Sequence, residues 1–382
     1  MDRLSDLPEP ILQQIYSWIP TEEFVRTSVF LDLSGDSALY SPPQFCYFSS
    51  SLTSLRLSMC IIRLTRGVSW TSLKTLVLQC VILVGDIIHQ VVLGCSQLQS
   101  LELLHCVGYY ALSIYSTSLK RLVITDSEPP SVYISGADLE ISAPNIESIC
   151  MSGDLYRKCL LTNLSSLLQA TLYFYGTKLF NHEQDRLLEV LESLEHVKNL
   201  KLGEWCIKVL AIREKKGLPC RPLKCKSLVV NTSLKQEDIP GILLLLKCSP
   251  DLETLTLNIT SPEFEQHLYE SEVGKLADFS NFAGDRYLNS QVDGIDCLQL
   301  KLRTINITHF VEQNLLLPFI KFMLREARVL KNMEIRSKYM DPNSPLNSLF
   351  NVARELSDMP KSSPNVVVKL HNSNEMVSLT IF

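Results

Sequence analysis

The chain has 382 residues, 46% of them apolar and 20% charged, with a formal net charge of −5. That length allows a large core or two or three domains, and so small a charge argues against a dominant nucleic-acid surface. No twenty-residue apolar span occurs: the run Ile242-Leu243-Leu244-Leu245-Leu246 is bounded by Asp238 and Lys247, so it reads as a buried helix and no membrane span is expected.

At the start, Met1-Asp2-Arg3-Leu4-Ser5-Asp6-Leu7-Pro8 lacks a basic stretch followed by an apolar core. No secretory signal is expected, so the twelve cysteines are expected reduced, in a cytoplasmic or nuclear protein. They form no Cys-x-x-Cys pair and no regular Cys/His spacing, so no metal site is expected. Leu4, Leu7, Ile11, Leu12, Ile15 and Ile19 recur at helical spacing and predict an amphipathic helix over 8–19. Pro8 suits its first turn, and Pro20 closes it. Thr21 then caps a second short helix, with Glu22 and Glu23 in its first turn and Phe24, Val25 and Val29 on its apolar side. Two such helices cannot bury their apolar faces without a third helix or a partner.

This stretch, from Asp2-Arg3-Leu4-Ser5-Asp6-Leu7-Pro8-Glu9-Pro10-Ile11-Leu12 through Ile19-Pro20-Thr21 to Val25-Arg26-Thr27-Ser28-Val29, resembles the F-box of plant F-box proteins with leucine-rich repeats. The resemblance implies docking on a Skp-type adaptor and, through it, a cullin. The implied contact residues are Leu7, Pro8, Ile11, Leu12, Ile15, Val25 and Val29. The F-box pattern is truncated. The Trp-bearing third helix is absent, and Val29 runs into Phe30-Leu31-Asp32-Leu33, which reads as a strand.

Beyond a turn-rich linker over 34–50, one pattern recurs. Leu52-x-x-Leu55-x-Leu57 returns at Leu73, Leu98, Leu119 and Ile146, at intervals of 21, 25, 21 and 27 residues. It continues through 167–174, then at Val197, Cys225 and Leu252, now close to 30 residues apart. A helical run 87–93 precedes the third copy, with Asp86 as N-cap and Gly94 as the residue past its end. Helix, tight turn and leucine strand make one coil of a leucine-rich repeat. The expected fold class is α/β: a leucine-rich-repeat solenoid, parallel strands on its concave face and helices on its convex face, with a short N-terminal helical F-box-like segment. The longer coils predict helices over 181–196, 236–247 and 312–328. Residues 261–294 are polar and lack the repeat, which predicts a disordered insertion. The rhythm resumes at Leu302-x-x-Ile305-x-Ile307 and closes at Leu330-x-x-Met333-x-Ile335. The run from Cys297 through Ala327-Arg328-Val329-Leu330 to Ile335 resembles the FBD domain that ends such plant proteins. The expected organisation is therefore a 1–30 F-box-like segment, 45–260 leucine-rich repeats, the 261–294 insertion and a 295–382 FBD-like cap, which an open repeat stack needs.

There is no Gly-x-Ser-x-Gly, no His-Glu-x-x-His and no phosphate-binding loop, and the seven histidines are scattered. Neither an enzyme nor a cofactor is expected. Strand alternation turns the leucines inward and their neighbours outward. The outward set is small and polar, with Arg56, Glu102, Arg121 and Lys201 as its charges and the substrate-contact candidates. Two functions fit: the substrate-recognition subunit of a Skp–cullin–F-box ubiquitin ligase binding a protein target, or a binding scaffold whose truncated F-box no longer docks.

Overall fold

The computed structural model describes residues 29–32, 41–42, 47–64, 67–126, 137–175, 181–260, 287–288, 290, 294–310, 316–337, 353–371 and 378–381. The expected N-terminal helices, with Leu7, Pro8, Ile11, Leu12, Ile15 and Val25, lie outside the described residues. So does nearly all of the expected insertion, although Leu288 within it is buried. The chain divides into two compact units, Met1–Gln169 and Ala170–Phe382.

In the first unit the leucine repeats become a parallel ladder. Its strands are β1 (Val29–Asp32), β2 (Ser54–Ser58), β4 (Thr75–Gln79), β6 (Ser100–Leu104), β8 (Arg121–Thr125) and β10 (Ser148–Gly153), each hydrogen-bonded to the next. Val29 thus opens a strand, where the sequence pattern places it on the second helix. It pairs with Leu55, as the Phe30-Leu31 reading anticipates. Leucine stacks on leucine along the ladder: Leu57, Leu78, Leu103 and Ile124 are register partners, and all are buried. A one-residue slip would turn these side chains to the opposite face, so their burial pins the register.

Two backbone devices repeat with the coils. The residue ahead of each strand offers its carbonyl to two N–H groups of the next coil. Thr53 accepts from Lys74 and Thr75, Lys74 from Gln99 and Ser100, and Gln99 from Lys120 and Arg121, all at 2.8–3.2 Å. The residue behind the strand turns the chain in the left-handed region. Met59, Cys80 and His105 have φ of 55°, 52° and 55°. The Met59 and Cys80 N–H groups still reach the next coil, donating to Gln79 O at 3.0 Å and Leu104 O at 2.7 Å.

The second wall of this unit corrects the helical expectation. It is built mainly of short parallel strands. β3 (Ile61–Ile62) pairs with β5 (Ile82–Leu83), and β7 (Ala111–Tyr115), β9 (Asp138–Ser142) and β11 (Lys158–Thr162) form a three-stranded sheet. Coils of 21 residues leave too few residues between strands and turns for a stable helix. The 25-residue coil holds α1 (Ile87–Gly94). Gly94 is its last helical residue rather than a left-handed residue beyond it. A Cβ there would lie 2.1 Å from Val68 O, so close backbone approach requires the glycine. Cys60 and Cys106 are buried, and burial pushes their thiols up to about 11 and about 12.

β12 (Gln169–Phe174) starts at the unit boundary. In the second unit it is followed in the ladder by β13 (Asn199–Leu202), β14 (Ser227–Thr232), β15 (Thr254–Ile259), β16 (Thr304–Phe310), β17 (Asn332–Ser337) and β18 (Val367–His371). β13 to β18 are parallel, and β19 (Ser378–Ile381) closes the ladder antiparallel to β18. Here the coils are long enough for helices. The three expected ones appear as α2 (Asn181–Ser193), α4 (Ile239–Cys248) and α6 (Leu316–Glu326). Short α5 (Asp296–Leu300) precedes β16. An unexpected helix, α3 (Glu204–Lys215), is buried from Glu204 to Ile212. α3 and α4 approach so closely that a Cβ on Gly241 would lie 2.2 Å from Ile207 O.

Candidate functional site

The sheet face of the repeats is the surface on which chemistry-bearing side chains are set out in order. In the first unit its middle column runs Arg56, Val77, Glu102, Val123, Cys150 by register, and its first column runs Ser54, Thr75, Ser100, Arg121, Ser148. Neighbouring strands lie about 4.8 Å apart, so side chains one column apart can meet. Arg56 donates from Nη2 to Gln79 Oε1. Arg121 Nε lies 3.4 Å from Glu102 Oε1, a pair still partly open to solvent. Such a pair adds little to stability; what it does is fix the charges at stated places. Ser58 and Val123, outward by alternation, are buried.

In the second unit Lys201 is exposed on β13. Its column continues by register through Val229, Thr256, Asn306, Glu334 and Lys369. Amides and hydroxyls form a ladder within this column and beside it. Asn258 Nδ2 donates to Asn231 Oδ1 at 3.0 Å, Thr308 Oγ1 to Asn258 Oδ1 at 2.7 Å, and Asn306 Nδ2 to Thr256 Oγ1 at 3.3 Å. At the end of the ladder Glu334 Oε1 accepts from Arg336 Nη2 at 2.9 Å and lies 3.2 Å from His371 Nε2. The structure thus brings Glu102 and Arg121 together within the first unit. It adds Glu334, Arg336, Lys369 and His371, which the sequence reading did not single out. The signal for Glu334 was present: the Leu330-x-x-Met333-x-Ile335 pattern turns it outward.

A second cluster is buried at the carboxyl ends of β13, β14 and β15. Glu204 opens α3 directly after Gly203, and Asp238 precedes α4. Lys208, one helical turn beyond Glu204, places Nζ 2.9 Å from Glu204 Oε1. Ser233 Oγ is shared by Glu204 Oε1 at 2.8 Å and Asp238 Oδ2 at 3.3 Å. Thr232 Oγ1 donates to Asp238 Oδ2 at 2.9 Å, and Thr260 Oγ1 to Glu204 Oε2 at 3.0 Å. Two carboxylates thus share a site with one lysine. Burial, and then the neighbouring Glu204 charge, push the Asp238 carboxyl up to about 7. In the first unit, burial pushes Asp126 up to about 6, against the hydrogen bond that Tyr109 donates at 3.0 Å.

An acid whose folded-state pKa is raised binds its proton more tightly when folded, so stability is full below the unfolded value and falls as pH rises through the folded one. Stability is therefore expected to decline from about pH 4, the ordinary carboxylate range, toward about pH 7 for Asp238, with Asp126 contributing up to about pH 6. Asp238→Asn should flatten the upper part of that decline in denaturation midpoints measured against pH. An unchanged slope between pH 6 and 7 would remove Asp238 as its source.

Among the described residues no group of His, Cys, Asp and Glu is arranged to hold a metal ion, and no helix is long and apolar enough to cross a membrane. The chemistry on offer is recognition: ordered donors, acceptors and charges on a sheet face. The family model described as the At1g61320/AtMIF1 LRR domain matches residues 45–357. The chain belongs to this leucine-rich-repeat family. The repeat protein is also similar to the F-box/LRR-repeat protein At5g02910 of Arabidopsis thaliana, 28% identical over 305 residues that cover 78% of this chain and 64% of that one. With the F-box/LRR-repeat protein At3g03360 of the same plant it shares 32% identity over 260 residues, 64% of this chain and 52% of the relative. This leucine-rich-repeat chain thus spans between half and two thirds of the length of these relatives.

Proposed function

We propose that this chain is the substrate-recognition subunit of a Skp–cullin–F-box ubiquitin ligase, acting in the cytoplasm or nucleus without catalysis of its own. The observation that carries the reading is the similarity to F-box/LRR-repeat proteins along most of the chain, together with a repeat face on which Glu102 pairs with Arg121 in solvent reach. In this reading Leu7, Pro8, Ile11, Leu12, Ile15 and Val25 anchor a Skp-type adaptor, while Val29 belongs to the first strand of the repeat ladder. A protein target contacts the outward residues, Arg56, Glu102, Arg121 and Lys201 among them. The FBD-like segment 295–382 ends the repeat stack and shields its last apolar layer.

The truncated F-box favours the second reading, a scaffold that joins no ligase. An adaptor interface draws its affinity from a few buried anchors, and losing one large aromatic costs about 2 kcal/mol or more, which is tens-fold in affinity. The chain is therefore expected to bind a Skp-type adaptor weakly but measurably in titration calorimetry, and Leu7→Ala/Ile11→Ala should abolish the signal. No heat at the highest adaptor concentration attainable would leave the scaffold reading.

A further inference from the structure

Eleven of the twelve cysteines fall among the described residues, all as free thiols, and one pair of them is built differently from the rest. Cys248 is the last residue of α4. Cys220 lies half-buried in the loop between α3 and β14. That loop is seated on Cys248 at two points: Leu223 N–H donates to the Cys248 carbonyl at 2.6 Å, and the Cys248 thiol lies 3.6 Å from the Cys220 carbonyl oxygen. The two thiols also perturb one another, the interaction between their side chains lowering Cys220 and raising Cys248. Arg213 holds the loop from the other side, its Nε donating to Pro219 O at 3.1 Å.

We propose that Cys220 and Cys248 are a redox pair that a hydroperoxide converts to a disulfide, stapling the α3–β14 loop to the end of α4. The roles follow from the surroundings. The interaction with Cys248, and then the Arg213 charge against the cost of burial, lower the Cys220 thiol, so its thiolate is the more accessible nucleophile. The Cys248 thiol is raised, first by its interaction with Cys220 and then by burial, which makes it the resolving partner. In the first step the Cys220 thiolate attacks one peroxide oxygen, the O–O bond breaks, and the departing hydroxide takes up a proton as water. Cys220 is left as a sulfenic acid. In the second step the Cys248 sulfur bonds to the Cys220 sulfur, its proton joins the leaving hydroxide, and a second water departs. Two thiols lose two electrons and two protons; one hydrogen peroxide is reduced to two waters.

The neighbouring cysteines serve as internal controls. Cys225 is buried against Ser249 Oγ at 3.4 Å, and burial raises its thiol. Cys297 is buried, hydrogen-bonded to Leu246 O at 3.3 Å and pushed up to about 12. The test is to treat the full chain with increasing hydrogen peroxide, alkylate the remaining thiols, and digest with trypsin. Peptides 217–224 and 248–275 each hold a single cysteine, so their cross-link is diagnostic. The expected result is that this cross-link forms at a lower dose than oxidation of any other cysteine and is reversed by dithiothreitol. Cys248→Ser should then leave a dimedone-reactive sulfenic acid on Cys220. Oxidation of Cys80 or Cys159 before the cross-link appears would overturn the proposal, as would cross-linking of Cys220 to Cys225 in equal yield. The wild-type cross-link decides the matter whether or not the serine variant folds.

Discussion

Lys208→Ala is expected to destabilise the second unit by about 3–5 kcal/mol, the range for breaking a buried ion pair from one side. Lys208 and Glu204 are both buried and 2.9 Å apart, and Asp238 shares the Ser233 hydroxyl with Glu204. Removing the ammonium leaves two carboxyl groups in one dry site, where the remaining hydroxyl donors cannot replace a positive charge. Part of the cost should be recovered in Lys208→Met/Glu204→Gln, because that double change also removes a buried charge. Urea denaturation of the wild type and the two variants compares these costs. A single-variant cost below about 1 kcal/mol, the level of an exposed pair, would mean that water reaches the cluster.

Leu101→Ala should destabilise the first unit by about 2–5 kcal/mol, since a buried leucine loses both its transfer energy and its packing. Its neighbour tests the opposite face. Glu102→Ala should cost less than about 0.5 kcal/mol, as a partly exposed side chain in a solvent-screened pair. Leu101 is fully buried and stacks by register between Leu76 and Leu122, whereas Glu102 meets Arg121 at 3.4 Å. Equal losses at the two positions would mean that the strand is turned the other way.

The main ladder was legible in the sequence because one rule governs it. A Leu-x-x-Leu-x-Leu frame fixes a strand, its buried side and its start, and β2, β4, β6, β8 and β10 lie where the frame puts them. What lies between those strands was legible only where length decided it. β9 alternates apolar and polar residues cleanly, so its faces could be read, but alternation names no partner strand, and β7, Ala111-Leu112-Ser113-Ile114-Tyr115, alternates in burial more than in residue type. β3 and β5 have two residues each, too few for any period to show. α3 escaped notice for a different reason. A helix buried on all sides has no apolar stripe to detect, and Glu204 and Lys208 interrupt it with charges that are silent in sequence until folding pairs them. The candidate contact face was legible as a set of outward positions. Which outward charges meet could not be read, since that depends on register across strands and on rotamers: Arg121 sits one column away from Glu102 and reaches it diagonally.

The turn behind each strand has a consequence for how this chain can change over evolutionary time. Met59, Cys80 and His105 hold a left-handed backbone at equivalent points of successive coils, although an ordinary L-residue there costs about 1–2 kcal/mol. Glycine or asparagine would relieve that strain. The first unit therefore sits below its own attainable stability at several independent positions, as natural proteins generally do. Each is a local reserve. A lineage that alters the outward residues to meet a new target, and loses stability in doing so, can compensate by relaxing one turn without touching the leucine core or the register.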